Sequence, residues 1–570
     1  MGGVVGRVNG PLVEATGLAG VGMFEMVFVG SHRVPAEVVA IADDTVTLQA
    51  YEYTGGLRVG DSVRPTGFPL SARLGPGLLG QVFDGLLRPL SSAPVWLTPD
   101  QRAQHADRLW TFTPTARRGE QLAPGAGLGT VALKNGVQHH VLVPPSVSGE
   151  LSWLAESGEL ADDEAVARVG QRDISLWEHW PVRRPRPFLA RDDTVVPLHT
   201  GQRVLDLLFP VGRGYAAAVP GGFGTGKTVL LQQIAKWCDA DVIVYVGCGE
   251  RGNEMADVLA ELAELTDPRT GGRLIDRTVI LANTSNMPMM AREASIYSAI
   301  TVAEYYRDMG YEAVVIADST SRWAEARREF ASRTGALPAE EGYPADLASA
   351  LAAFYERAGR VHTLGGRPAS VTVIGAVSPP GGDMAEPVTS ATERFIQALW
   401  TLDRDLAYSR HYPAVSWGAS FARQVGAVGA WYAEQSDADW PHRRARAATL
   451  LADSDRLAAL AEIVGTGALP GHERIVMLAG RLIREAVLMQ NALSANDAFS
   501  SAEKGAALLQ LVLDVADTCQ RLIERGVPAT TIEEFDFGPL IRLRDEARPA
   551  DQDAIAARRD VVLRDLEELE

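Results

Sequence analysis

Eight consecutive residues, Gly221-Gly222-Phe223-Gly224-Thr225-Gly226-Lys227-Thr228, follow the spacing G-x-x-x-x-G-K-[ST]. That spacing suits phosphate chemistry. Glycines let backbone N–H groups turn inward on phosphate oxygens, the lysine neutralises β/γ charge, and the threonine hydroxyl reaches Mg²⁺. Upstream, Tyr215 to Val219 reads as a short buried strand; downstream, Val229 to Trp237 has the composition of a helix whose N-terminus would face the anion. A glycine-rich surface turn accounts for the glycines but not for a Lys-Thr pair at that offset. The expected ligand is a nucleoside triphosphate with its Mg²⁺.

Two carboxylates follow at the ends of apolar runs. Asp318 closes Ala313-Val314-Val315-Ile316-Ala317, and a buried strand holding a carboxylate rigidly at its mouth is what a magnesium-coordinating acid needs. Alone, such an Asp reads equally well as a turn or cap; beside a phosphate loop it reads as functional. Glu250 stands in Gly247-Cys248-Gly249-Glu250-Arg251-Gly252, directly after the run from Asp241 to Val246. A glutamate there can orient and polarise an attacking water, with Arg251 offering positive charge. The alternative is a Glu-Arg surface pair of almost no energetic value.

These loops need a scaffold. Between Thr200 and about Ser378 strands alternate with helices, the signature of a parallel sheet built from βαβ units, with ligands at the strands' carboxyl ends. The strands expected are Ala216 to Val219, Asp241 to Gly247, Thr278 to Ala282, Ala313 to Asp318 and Val371 to Val377, contributing the three functional loops from neighbouring positions. Arg292 to Met309 reads as a helix, with Ile296, Ala299, Ile300, Ala303 and Tyr306 on one stripe and Gly310 as its left-handed cap.

Val4 to about Pro69 is rich in short strands with turns at Asp43-Asp44 and Gly60-Asp61, as in a small closed barrel. Trp110 to Arg183 is a second β-rich stretch, ending in the proline-arginine run Pro181 to Pro187, which reads as a boundary. His139-His140 point to opposite faces of one strand and suggest no metal site. Beyond about Trp431 the pattern is helical. The expected architecture is therefore an α/β phosphate-loop domain (71–109 with 184–430), an N-terminal β-barrel (1–70), an inserted β-rich domain (110–183) and a C-terminal helical domain (431–570). A chain of 570 residues suits three or four such domains.

Composition narrows the function. A formal net charge of −18 without a long basic run weighs against a nucleic-acid partner. No stretch of about 18 apolar residues is present to cross a bilayer. The start lacks the basic region and apolar block of a secretion signal, and three cysteines without metal spacing fit a reducing compartment, Cys248 being placed beside the active site.

The motifs together resemble one family. Gly222 to Thr228, Tyr245 to Met255, Asn283-Thr284-Ser285-Asn286-Met287-Pro288, Asp318-Ser319-Thr320-Ser321-Arg322-Trp323-Ala324-Glu325, Pro338 to Pro344 and Ser378 to Met384 look like the catalytic A subunit of the V-type/A-type rotary ATPases. The resemblance covers nearly the whole chain, including the inserted segment that separates this family from the shorter F-type β subunit. It implies a cytoplasmic protein, peripheral on the inner face of the cell membrane. Its partners would be a B subunit in an alternating A3B3 hexamer, central shaft subunits, a peripheral stalk at the N-terminal barrel and, indirectly, a membrane ring moving H⁺ or Na⁺. ATP or ADP with Mg²⁺ would bind at A/B interfaces. Lys227 and Thr228 match the family's phosphate and magnesium contacts, Glu250 its general base, Arg251 a phosphate contact, Asp318 its second magnesium acid and Arg322 an arginine near the γ-phosphate. The adenine would lie against Tyr412 and Phe499, with Phe223 close by. Three positions depart from the family: Leu493 stands where an aromatic is usual, Gly222 where archaeal-type loops often have proline, and Thr225 where eukaryotic loops have cysteine. The alternative readings are an F-type β-like or secretion-system ATPase and a nucleotide-binding regulatory protein without catalysis; the presence of both Lys227 and Glu250 speaks against the latter.

Overall fold

A computed structural model describes residues 2–90, 108–133, 136–267, 269–435 and 437–570. Residues 91–107, part of the 71–109 stretch assigned above, lie outside the described residues.

Alternating apolar positions close the N-terminal stretch into a six-stranded antiparallel barrel running from Gly3–Asn9 to Ser62–Pro69, sealed by the pairs Gly3 with Val63 and Val4 with Ser62. Val13, Val27, Val38 and Leu48 fill it. Asp43 and Asp44 form the two-residue hairpin, Asp43 at φ 52°, in the left-handed region that such turns require. The second β-rich stretch forms two four-stranded antiparallel sheets around Phe112, Val131, Leu151 and Val169. Its His139 is buried, with Nε2 3.2 Å from the Tyr305 hydroxyl, and burial pushes its pKa down to about 3. His140 faces elsewhere, against Tyr311.

The proline-arginine run packs tightly. Glu178–Pro181 pairs with Ser71–Leu74, the strand that follows the barrel, and buried Arg186 bridges Glu178 and Asp308, each at 2.6 Å.

The parallel sheet is the centre of the chain. Its strands are β1 (Val82–Phe83), β2 (Ala216–Pro220), β3 (Val242–Cys248), β4 (Thr278–Asn283), β5 (Glu312–Asp318) and β6 (Pro368–Val377). Their order across the sheet is β2-β6-β5-β3-β4-β1, all parallel, with short strands Ala398–Leu399 and Phe421–Ala422 beyond β2. Here the structure corrects the sequence reading: β6 intervenes between the strand carrying the phosphate loop and the strand carrying Asp318, so the three functional strands are not consecutive neighbours. The near-continuous Val, Ile and Ala of β2 to β6 reflect burial on both faces. Around the sheet lie α1 (Lys227–Trp237), α2 (Gly252–Glu264), α3 (Met289–Asp308) and α4 (Thr320–Thr334). The helix expected from Arg292 to Met309 is α3, one turn longer at its start, and Gly310 follows it at φ 95°.

One face of the sheet shares its apolar core with the C-terminal helices, from Ile243 and Ile316 through Leu451 and Leu482 to Val512. A buried ion pair fastens the two parts: Arg203 Nη1 lies 2.6 Å from Asp497 Oδ1, while Arg203 Nε and Nη2 donate to the carbonyls of Val487 and Met489. Removing one partner of such a pair costs about 3–5 kcal/mol, so the 487–497 loop is firmly held against the nucleotide-side core.

Candidate active site

The turn from β2 into α1 is built by its glycines. Gly224 and Gly226 adopt φ 80° and 88°, a region in which a side chain is strained, and the turn thereby aims backbone N–H groups into its own concavity. Thr225 Oγ1 closes it by donating to the Gly222 carbonyl (2.8 Å). Lys227 Nζ donates to the carbonyls of Gly221 and Gly222, which holds the ammonium across the turn. Burial draws its pKa down, opposed by the negative charges of Asp318 and Glu250. Both carboxylates thus act electrostatically on this ammonium from the neighbouring strand ends.

Asp318, 3% exposed at the end of β5, accepts from Thr228 Oγ1 (3.1 Å) and Tyr245 Oη (3.3 Å), both on Oδ2. Burial raises its pKa, while Thr228 and Lys227 favour the carboxylate. The pairing of a threonine hydroxyl with a buried carboxylate fits Mg²⁺, which takes few protein ligands and completes its octahedron with water and substrate phosphates.

Glu250 follows β3, the immediate neighbour of β5, where Gly247 pairs with Asp318. The turn is stitched to the loop after β4: Gly249 N donates to Asn283 O (2.7 Å) and Ser285 N to Glu250 O (2.9 Å). Burial, then the charge of Asp318, push the Glu250 carboxyl up to about 7 against the attraction of Arg322; Glu254 adds to the rise. A carboxyl poised there is suited to proton transfer near neutral pH.

Arg251 is exposed just before α2, 3.9 Å from Glu254. Arg322, in the first turn of α4, donates to both Glu325 oxygens (3.1 and 2.9 Å). Phe223 stands at the tip of the phosphate turn, 87% exposed.

Of the two aromatics expected at the base, only Tyr412 is at the turn: a Cβ on Gly226 would lie 3.5 Å from its ring. Phe499 is elsewhere, and this corrects the sequence reading. It stacks on Trp237 with centroids 5.3 Å apart and meets His199 edge-on. Trp237 closes the eleven-residue α1, about 15 Å from Lys227 at 1.5 Å per residue. On the same loop Leu493 faces solvent, 95% exposed, three residues after Gln490, whose N–H donates to the Tyr412 carbonyl (2.8 Å).

Sequence reasoning missed Tyr245, Glu254 and Arg292. Tyr245 was hidden in an apolar strand, opposite Ile316 and two residues short of the level of Asp318 on the neighbouring strand. Arg292 was absorbed as the first residue of a helix, yet its Nη2 donates to Ser285 O (3.1 Å), on the loop that holds Glu250.

A parallel sheet with this turn at one strand end, a buried carboxylate at a second and a half-buried one after a third defines a phosphate-loop nucleoside triphosphatase. Comparisons refine the class. The profile of the ATP synthase alpha/beta family nucleotide-binding domain matches residues 201–422, that family's β-barrel domain 5–67, its barrel-sandwich domain 102–183, and the C-terminal domain of V and A type ATP synthase 429–532. The chain is 49% identical over 535 residues to the V-type ATP synthase alpha chain of Nitrosococcus oceani, covering 92% of this chain and 90% of that one. It is 46% identical to the A-type ATP synthase A subunit of Methanopyrus kandleri (94% and 92% covered) and 45% identical to its counterpart from Methanospirillum hungatei (100% and 98%). Among solved structures, the assembled ATPase EscN from the enteropathogenic E. coli type III secretion system superposes with a TM-score of 0.65 at 23% identity, over 90% of this chain and 100% of that one, a likeness of fold.

The chain belongs to the family of V-type ATP synthase alpha chains and A-type ATP synthase A subunits. The V/A-type C-terminal domain separates it from the F-type and secretion-system alternatives.

Proposed function

We propose that the chain hydrolyses ATP with Mg²⁺, or makes it, as the catalytic subunit of a rotary enzyme that couples this reaction through a turning shaft to H⁺ or Na⁺ movement. The observation that supports the reading is the Thr228–Asp318 hydrogen bond beside the phosphate turn, with Glu250 following the strand that pairs next to Asp318. Lys227 and the N–H groups of the Gly221–Gly226 turn bind the β- and γ-phosphates. Thr228 and Asp318 would hold Mg²⁺, which when bound neutralises charge on the β/γ oxygens. Glu250 orients the attacking water and receives its proton, and Arg251 and Arg322 add positive charge near the γ-phosphate.

Within this reading the domains are those drawn from the sequence: barrel 1–70, nucleotide domain 71–109 with 184–430, insert 110–183 and helical domain 431–570. The chain works beside a B subunit in an alternating A3B3 ring, on a central shaft, with the peripheral stalk at the barrel and the membrane ring reached through other subunits. It therefore sits on the cytoplasmic face of the membrane.

Isothermal titration of the chain with Mg-ATP and with Lys227→Ala tests the reading. Wild type should bind, and the variant should lose at least about tenfold in affinity with the charge-assisted contacts gone. Equal affinities would defeat it.

The base pocket supplies a second expectation. Tyr412 offers one aromatic wall, and Leu493 takes the place of another, so Leu493→Phe should tighten ATP binding by about 2- to 10-fold, the worth of one aromatic contact of about 0.5–1.5 kcal/mol. Phe499→Leu should leave affinity unchanged. The reverse order in a titration would return Phe499 to the pocket.

A further inference from the structure

Gly249, the residue before Glu250, is gripped from two sides. At φ +76°, a Cβ there would sit 2.8 Å from Arg322 Cβ and 3.0 Å from Arg292 Cδ, so two arginines on two different helices press on the hydrolytic turn. Each is followed by a residue that fastens α3 to α4. Trp323 Nε1 donates to the Glu293 carbonyl (3.1 Å). The Glu293 carboxylate, buried at 3% exposure, accepts from Arg327 Nη1 (3.2 Å), whose Nη2 in turn reaches Asp346 (2.7 Å). On its other side Arg183 forks onto both Glu293 oxygens (3.0 and 2.6 Å) and stands 3.5 Å from Glu37 of the barrel. Burial pushes the Glu293 pKa up, but the two guanidinium groups outweigh it and hold it below the ordinary carboxylate value.

This cluster touches none of the phosphate-loop residues. Buried ion pairs add little net stability compared with apolar side chains of the same volume, while their forked geometry fixes the elements that carry them. We infer that Glu293 is a positioning residue for hydrolysis: clamped by Arg183 and Arg327, it locks α3 against α4 so that Arg292 and Arg322 grip Gly249 and keep Glu250 facing Lys227 and Asp318. The clamp also ties the catalytic turn to the barrel through Arg183 and Glu37. The inference deepens the catalytic reading above, and its kinetic half rests on that reading.

The test is Glu293→Gln in the full chain, by amide hydrogen exchange on the chain alone and by kinetics with its partner subunits. The amides of Gly249 and Ser285, which bond across the turn, should exchange at least about tenfold faster, with the Leu48 amide in the barrel unchanged. In kinetics, kcat should fall at least about tenfold while the nucleotide Kd stays within about twofold. The acid limb of kcat/KM, set by Glu250 among Asp318, Glu254, Arg322 and Lys227, should move to lower pH as the carboxyl gains solvent. Glu293→Asp, which keeps the charge, should recover part of the rate. Unchanged exchange at Gly249 and Ser285 overturns the inference, as does a lower melting temperature with the acid limb unmoved. If Glu293→Gln exchanges fast throughout, Arg327→Lys decides by the same amides, since it keeps the charge and loses the fork. A wild-type assembly without Mg-ATP hydrolysis would sink the catalytic reading, and the exchange result would still decide the clamp.

Discussion

Replacing Glu250 by Gln should lower Mg-ATP hydrolysis by about 10²–10⁴-fold, the usual contribution of a positioned general base, and leave nucleotide binding nearly unchanged. The amide keeps the size of the side chain and its bond-forming reach but cannot accept a proton. The phosphate grip proposed above lies elsewhere, in Lys227 and the Gly221–Gly226 turn, so binding should be spared. The pH dependence gives an independent check. The Glu250 carboxyl titrates near 7 because burial and the charge of Asp318 penalise its ionised form. It acts as a base only when ionised. Below about pH 7 the wild-type kcat/KM should therefore fall about tenfold per pH unit, and above it the profile should be flat. In Glu250→Gln the residual rate should lack that limb. A limb that persists in the variant would assign the titration to another group and remove Glu250 from the base role.

How far the sequence foretold this site depends on the range of the interaction involved. The strand-turn-helix around Lys227, the acid closing β5 and the glutamate after β3 are local patterns, and each stood at its strand's carboxyl end as read. Strand order is not local. Nothing in the run from Val371 to Val377 announces that it lies between β2 and β5, because that depends on which crossovers the chain takes. The insert's last strand, Glu178–Pro181, pairs about a hundred residues back, with Ser71–Leu74, for the same reason. Phe499 failed differently: Asp497-Ala498-Phe499 and Leu493 share one irregular loop, and only tertiary packing decides which side chain turns inward. Asp497 is drawn to Arg203, which takes Phe499 with it onto Trp237 and leaves Leu493 in solvent. The Glu293 clamp was invisible because its members come from the barrel, the end of the insert and two helices, so no spacing along the chain connects them.

The chain by itself should hydrolyse ATP about 10³–10⁵-fold more slowly than the same chain with the B subunit proposed as its partner. The transition state spreads negative charge over the equatorial oxygens of the γ-phosphoryl group, and stabilising it takes a cation aimed at those oxygens beyond the lysine and metal of the ground state. Of the chain's own arginines near the turn, Arg322 and Arg292 hold partners within the chain, and Arg404 lies beside the phosphate turn itself, its Nη2 3.4 Å from where a Cβ on Gly222 would sit. Arg322 holds Glu325, Arg292 holds Ser285 O, and Arg251 lies exposed towards Glu254. Freeing Arg292 would cost its bond to Ser285 O, on the loop that is stitched to the Glu250 turn. The surface around the turn, by contrast, presents apolar groups to the outside besides the walls of the base pocket: Phe223 at its tip is 87% exposed and Val229 53%. Such side chains gain from being covered, and a partner that covers them would bring its own residues within reach of the γ-phosphate. Phosphate release measured with the chain alone, the partner alone and increasing ratios of the two should rise to a plateau at one partner per chain. A lone chain as fast as the mixture would mean that the transition state is already served from within, with Arg322 or Arg251 as the cation to test next.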